Sequence, residues 1–191
     1  VMAEAAVAFL LSTPTGPIVD VTLGGGGHTR ALLQASAGAR HVIALDQDPE
    51  ALAEAERSLS ADGLAERVTL CQGNFRDLST LLPEEHRDHG VAGILADLGV
   101  SSHQLDADHR GFGLKHTNAP LDMRMDATSG QPTAHELIGQ WTTDQLASAL
   151  REFGEVPSAG RLARVIKEAH AAGQLETTGA LADLVAVTLP Q

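Results

Sequence analysis

Residues 17–28, PIVDVTLGGGGH, run from a short apolar stretch through Asp20 into four consecutive glycines and stop at His28. Adjacent residues without Cβ permit positive φ and let a ligand approach the main chain, at an entropic cost that a plain flexible turn does not require. Three further special groups close apolar runs downstream: Asp46 after HVIAL, Asn74 and Phe75 after RVTLCQG, and Asp97 after VAGILA. If each run is a strand, two carboxylates and an aromatic ring arrive at the same edge as Gly24, Gly25, Gly26 and Gly27. Singly, each suits an ordinary loop or core role. Their recurrence at four strand ends argues for one shared ligand site.

The glycine loop does not read as a dinucleotide cradle. The G-x-G-x-x-G fingerprint needs a third glycine, whereas Gly24 and Gly26 are followed by Thr29, and Gly25 and Gly27 by Arg30. No G-x-x-x-x-G-K-[ST] loop is present either. A glycine turn without a pyrophosphate cradle, with an acid about twenty residues on that can take both ribose hydroxyls, suits an adenosine that carries no phosphate. S-adenosylmethionine is such a ligand. Its methionine part would pack on the loop, its ribose on Asp46 and its adenine beside Phe75. Asp97 would face the amino-acid end or the reaction centre.

The elements that must position these groups follow from periodicity. Residues 3–11 read as a helix, 18–21 as a buried strand, and 28–35 as a helix with Ala31, Leu32 and Ala35 inward. A second strand over 41–45 precedes a helix over 50–59, with Asp48 as cap and Pro49 in the first turn. A third strand (67–71), a short helix (77–82) and a fourth strand (91–98) complete an α/β pattern of the doubly wound type, in which ligands bind at the carboxyl ends of the strands. Residues 99–132 show no strand period; polar loops of that length are usually functional. Three helices follow over 142–153, 158–172 and 179–187, preceded by a shorter one opened at Thr133 with Glu136 as a capping box. Leu146, Ala149, Leu150 and Phe153 are expected inside the first of the three, and Leu162, Ala163, Ile166 and Ala169 inside the next.

Composition narrows the class. The chain has 191 residues, 43% hydrophobic and 20% charged, which describes a soluble globular protein with room for one core and a large insertion. No run approaches the ~18 apolar residues of a membrane span. The opening VMAEAAVAFL lacks a basic leader region, so a cytoplasmic location is expected. Cys71 is the single cysteine and reads as a small buried hydrophobe. Net charge is -12, and residues 1–103 alone carry 6 Lys and Arg against 14 Asp and Glu. No segment is basic, so a nucleic-acid substrate must be gripped by clustered arginines or by surface outside this chain. His86 and His89, in an acidic loop, find no third ligand at suitable spacing, and no metal site is expected.

Taken together, VDVTLGGGGHT, ALDQDP, GNF, GILADLGVSSHQLD, RGFG and LDMRMD, with GEVPSAGRLARVI and LETT further on, resemble the bacterial 16S ribosomal RNA cytosine-N4 methyltransferases, the RsmH or MraW family. The similarity covers nearly the whole chain. The resemblance implies a class I S-adenosylmethionine-dependent methyltransferase core, Rossmann-like, with an inserted helical domain. It implies S-adenosylmethionine as cofactor and a decoding-centre cytidine of 16S rRNA in the small subunit as acceptor. Cofactor contacts then fall on Gly26, Gly27, His28, Asp46, Phe75, Asp97 and Gln104, with His28 and Gln104 supplied by the resemblance alone. On this reading residues 1–103 form the N-terminal part of the core, and residues 104–191 the substrate loop and helical insert, the end beginning a return to the core. Family members also have an opening His-x-Pro and a C-terminal part that completes the sheet, so the chain is expected to be a fragment. His103 stands where proline is common, FGLKHTNAP is altered, and Val156-Pro157 replaces a more polar pair.

Cytosine N4 is a poor nucleophile because its lone pair is delocalised into the ring. The enzyme must hold it in line with the methyl group and accept a hydrogen bond as it becomes tetrahedral. Asp97 first and Asp122 second are the catalytic candidates, Asp122 with a cap or a pairing to Arg124 as its other reading. Ser101, Ser102, Arg110, Phe112 and Arg124 are candidates for substrate binding. Phe112 and Trp141 can stack on an exposed base or serve as core, and Arg110, Lys115, Arg124, Arg161 and Arg164 can meet phosphates or form a solvated face. A homodimer is left open. The competing readings are a methyltransferase acting on protein or a small molecule, which the acidic charge favours, and a non-catalytic nucleotide-binding or ribosome-assembly module.

Overall fold

Ile18, Val19, Val42, Ile43, Ala44 and Leu45 are at most 1% exposed, and consecutive apolar residues buried without alternation are the mark of strands covered on both faces. They form β1 (Ile18–Asp20) and β2 (Val42–Asp46) in a computed structural model that describes residues 2–113 and 115–189. With β3 (Val68–Gln72) and β4 (Gly93–Leu95) they make a parallel sheet of order β3-β2-β1-β4. Val19 pairs with Ile43 on one side and Ile94 on the other. This is the order of the first half of a doubly wound sheet plus its first strand beyond the crossover.

Alternate residues feed two cores. Ile18, Val42 and Ala44 pack with Val7 and Leu10 of α1 (Ala3–Leu11), Leu32 and Leu33 of α2 (Gly27–Ala35), and Ala55 and Leu59 of α3 (Pro49–Ala61). Val19, Val21, Ile43 and Leu45 pack on the opposite face with Leu78 and Leu81 of α4 (Leu78–Leu81), Leu82 and Val91. Each fully buried aliphatic side chain among them contributes about 1.5–3 kcal/mol, the half-buried Leu78, Leu81, Leu82 and Val91 less. Cys71 is half-buried in this second core, and burial pushes its thiol up from the ordinary range.

Several elements depart from the periodic reading. β4 ends at Leu95, not near residue 98, because the Asp97 N–H is taken by the Thr22 hydroxyl at 2.7 Å, off the ladder. Residues 84–89, expected as loop, form α5 (Glu84–His89), whose acidic first turn and basic last turn suit the helix dipole. Helix α2 buries Thr29, Leu32 and Leu33, with its C-cap Ser36 also buried, and leaves Ala35 exposed. The inward face is turned by Thr29, whose hydroxyl donates to Asp20 at 2.8 Å.

The chain divides into two compact units, Val1–His103 and Gln104–Gln191, the division falling within α6 (Ser102–Asp106). The second unit is helical: α7 (Ala134–Gln140), α8 (Thr143–Glu152), α9 (Ala159–Ala171) and α10 (Thr178–Thr188). Thr133 with Glu136 and Thr142 with Gln145 form reciprocal capping boxes at α7 and α8. Leu146, Ala147, Leu162, Ala163 and Ile166 supply its core with Leu121, Ile138 and Leu175. Phe153, expected inside, is 81% exposed, and Ala147 takes the inward place instead. Residue 114 of FGLKHTNAP and the chain-end positions 1, 190 and 191 of the two expected domains lie outside the described residues.

Candidate functional site

Strand β1 ends on Asp20, a carboxylate only 2% exposed. Its oxygens accept from the Thr22 N–H at 3.1 Å and the Thr29 hydroxyl at 2.8 Å, so it ties the start of the glycine loop to the helix that follows. Burial nevertheless raises its carboxyl above the usual range. Gly26, at φ +78°, caps α2 in the left-handed region, which a side chain would strain. Gly27 and His28 open the helix itself. No heavy atom lies within 4 Å of where a Cβ on Gly25 or Gly27 would stand, so the main chain is open there.

Asp46 closes β2, and both its oxygens are engaged: Oδ2 accepts the Gly24 N–H at 2.8 Å, Oδ1 the Asp48 N–H at 3.0 Å. The carboxylate thereby fixes the loop against the strand end. Each oxygen keeps a second lone pair for a vicinal hydroxyl. At the end of β3, Asn74 donates its amide to Gln47 at 3.0 Å and accepts from the Arg76 N–H, a turn that delivers Phe75 at 44% exposure. After β4, the bond from the Asp97 N–H to Thr22 sets the Asp97 carboxylate 3.8 Å from His28 Nδ1. Ser101 comes back to the loop, its Cβ 3.5 Å from where a Cβ on Gly24 would stand. Ser102, the first residue of α6, is exposed.

Six of the residues expected to hold the cofactor, Gly26, Gly27, His28, Asp46, Phe75 and Asp97, are thus delivered by the carboxyl-terminal ends of parallel strands in one unit. An open glycine main chain, a carboxylate with lone pairs to spare, an accessible ring and a second carboxylate fit a nucleoside with vicinal hydroxyls and a cationic amino-acid arm. The sequence reading missed the support: Asp20 and Thr29, both buried, and the half-buried Thr22 hold the loop. A carboxylate ending an apolar run with a threonine nine residues on was the available signal.

In the second unit, Gln104 is 4% exposed and Phe112 is half-buried. Arg110 is 1% exposed, and its guanidinium donates to the carbonyl oxygens of Arg124 at 3.0 Å and Met125 at 2.7 Å. It is placed as an internal strut. Gly111 beside it has φ +75°, and a Cβ there would meet the Pro120 oxygen at 2.3 Å, so only glycine fits. Asp122 is gripped by Arg124 through Nε to Oδ1 at 2.9 Å and Nη2 to Oδ2 at 2.7 Å. Those bonds hold its carboxyl below the ordinary range, a poor setting for a proton acceptor. Lys115, Arg161 and Arg164 are exposed, and Trp141 is half-buried against the helical core. Among the described residues, no group of three or more His, Cys, Asp or Glu is arranged to hold a metal ion, and no helix is long and apolar enough to cross a membrane.

The family model for the MraW methylase family matches residues 1–191. "Ribosomal RNA small subunit methyltransferase H" of Heliobacterium modesticaldum is 44% identical over 177 residues, 93% of this chain and 55% of that protein. The protein of the same name from Syntrophotalea carbinolica is 45% identical over 190 residues, 100% of this chain and 59% of that one. The chain thus spans somewhat more than half the length of these curated relatives. Among solved structures, TrmN from Thermus thermophilus is 22% identical over 54% of this chain and 29% of its own, with a TM-score of 0.44. The fold assignment rests on the sheet order and not on that overlap. With a model matched along all its residues and relatives above 40% identity over nearly its full length, the chain belongs to the MraW methylase family.

Proposed function

We propose that the protein is an S-adenosylmethionine-dependent methyltransferase that methylates the N4 amino group of a decoding-centre cytidine in 16S rRNA of the small ribosomal subunit, in the cytoplasm. The observation that carries this reading is the strand-end cluster of the first unit, where Asp46 buttresses Gly24 and Asp97 stands beside His28. The bound cofactor supplies an electrophilic methyl group on a sulfonium. Asp46 orients the ribose through its remaining lone pairs, and Phe75 flanks the adenine. The open main chain at Gly25 and Gly27 lets the methionine arm lie close. Asp97, with its side chain 48% exposed, accepts a hydrogen bond from the N4 amino group as its nitrogen turns tetrahedral. Asp122, neutralised by Arg124, acts as a fixed brace for the Arg110 loop.

Purified protein incubated with methyl-labelled S-adenosylmethionine and small subunits is expected to label the 16S rRNA at a cytosine N4. Transfer to bulk protein with none to any small-subunit state would sink the proposal and favour the protein-directed alternative.

A further inference from the structure

The second unit carries an apolar groove of about 470 Å³, walled by Trp141, Ala149 and Phe153 and rimmed by Asp144 and Glu152. It is built by the outward stripe of α8, opposite the face that buries Leu146 and Ala147. The wall is fixed in place. Lys167 donates to the carbonyl oxygens of Ile138 at 2.6 Å, Gly139 at 3.0 Å and Trp141 at 2.7 Å, which pins the α7 end from which Trp141 projects. That ammonium is therefore committed to main-chain oxygens, not to the rim. No lysine or arginine lines the groove, and among the described residues neither rim carboxylate has an ion-pair partner. Phe153 leaves 81% of its surface exposed on this wall, although helical spacing would have it in the core.

An aromatic trough with two unneutralised carboxylates selects its occupant by charge. Phosphates would meet two carboxylates and no cation. A second copy would bring its own net charge of -12. We infer that the groove docks a basic segment of a protein partner, which lays apolar side chains or lysine and arginine stems across Trp141 and Phe153 and sets its cationic heads on Asp144 and Glu152. This surface lies in the second unit and does not depend on the methyl-transfer reading.

Trp141 is the only tryptophan and the chain has no tyrosine, so its emission reports this groove directly. Titration with a synthetic peptide alternating lysine and leucine is expected to shift that emission at micromolar concentration. Phe153→Ser, at an exposed position, and the double change Asp144→Asn with Glu152→Gln are each expected to weaken the midpoint about tenfold while circular dichroism stays unchanged. The matching glutamate–leucine peptide and an oligouridylate are expected to leave the emission unaltered. The inference is overturned if the lysine–leucine peptide gives no shift, if it binds all variants equally, or if the oligouridylate shifts Trp141 as well. Self-association in sedimentation that Phe153→Ser abolishes would assign the groove to a second copy and overturn it too.

Discussion

Replacing Arg110 by methionine should destabilise the second unit by about 3 kcal/mol. The guanidinium makes two charge-assisted bonds to the Arg124 and Met125 carbonyls at 3.0 and 2.7 Å, in a side chain 1% exposed. Bonds to a charged group are worth about 1.5–3 kcal/mol each, and both carbonyls would lose that donor. Methionine restores the packing of the stem and removes the desolvation cost of the cation, which returns one or two of roughly five kcal/mol. Urea denaturation followed by Trp141 emission reads this unit, since the only tryptophan lies in it. With a slope near 1.5 kcal/mol per molar, the midpoint falls by about 2 M. Arg110→Lys should recover part of the loss, because both bonds leave a single nitrogen, Nη2, a pattern that an ammonium on a slightly shorter stem can partly reproduce. Arg161→Ala and Arg164→Ala, exposed positions on α9, should leave the midpoint in place. An unchanged midpoint for Arg110→Met together with weakened binding to small subunits would refute the strut and return Arg110 to the phosphate contacts that its sequence context suggests.

Other consequences are smaller in scope. Asp46→Ala should weaken S-adenosylmethionine binding by about 1–3 kcal/mol through lost hydroxyl partners and a loosened Gly24; titration calorimetry with no change would remove Asp46 from the site. Asp20 titrates above 3.8 because it is buried, so between that value and its folded pKa the native state holds the extra proton and stability falls as pH rises. Asp20→Asn can keep both hydrogen bonds and should flatten that slope in circular-dichroism melts across the acid range, whereas an unaltered slope would assign it to another group. Gly111→Ala combines φ +75° with a 2.3 Å approach to the Pro120 oxygen. It should cost at least about 2 kcal/mol in the same Trp141-monitored denaturation, and a neutral result would mean the loop relaxes.

The strand-end residues were legible because their signal is local. An apolar run followed by glycine, acid or aromatic says where the chain turns and what it presents there, and Asp46, Phe75 and Asp97 stand at those turns. Caps were legible for the same reason: Asp48 and Thr133 each accept from a main-chain N–H two or three residues on. Cations were not. Arg40, Arg110 and Lys167 are each spent on main-chain carbonyls distant in sequence, Arg40 on those of Pro14 and Thr13. A long cationic side chain carries no mark of whether it ends in solvent or on a carbonyl.

The sequence by itself determined the parallel α/β core, the open glycine turn and the family, because each depends on residue type at fixed local spacing. Only the tertiary structure decided that Asp46 spends one lone pair of each oxygen on the loop it supports, that Thr22 ends β4 early and aims Asp97 toward His28, and that Arg124 occupies Asp122. Those outcomes depend on partners 2 to 75 residues apart competing for the same few donors and acceptors. Side-chain spacing can propose which groups meet, but burial and geometry choose the pairs, since an unmade bond away from water costs more than a made one gains.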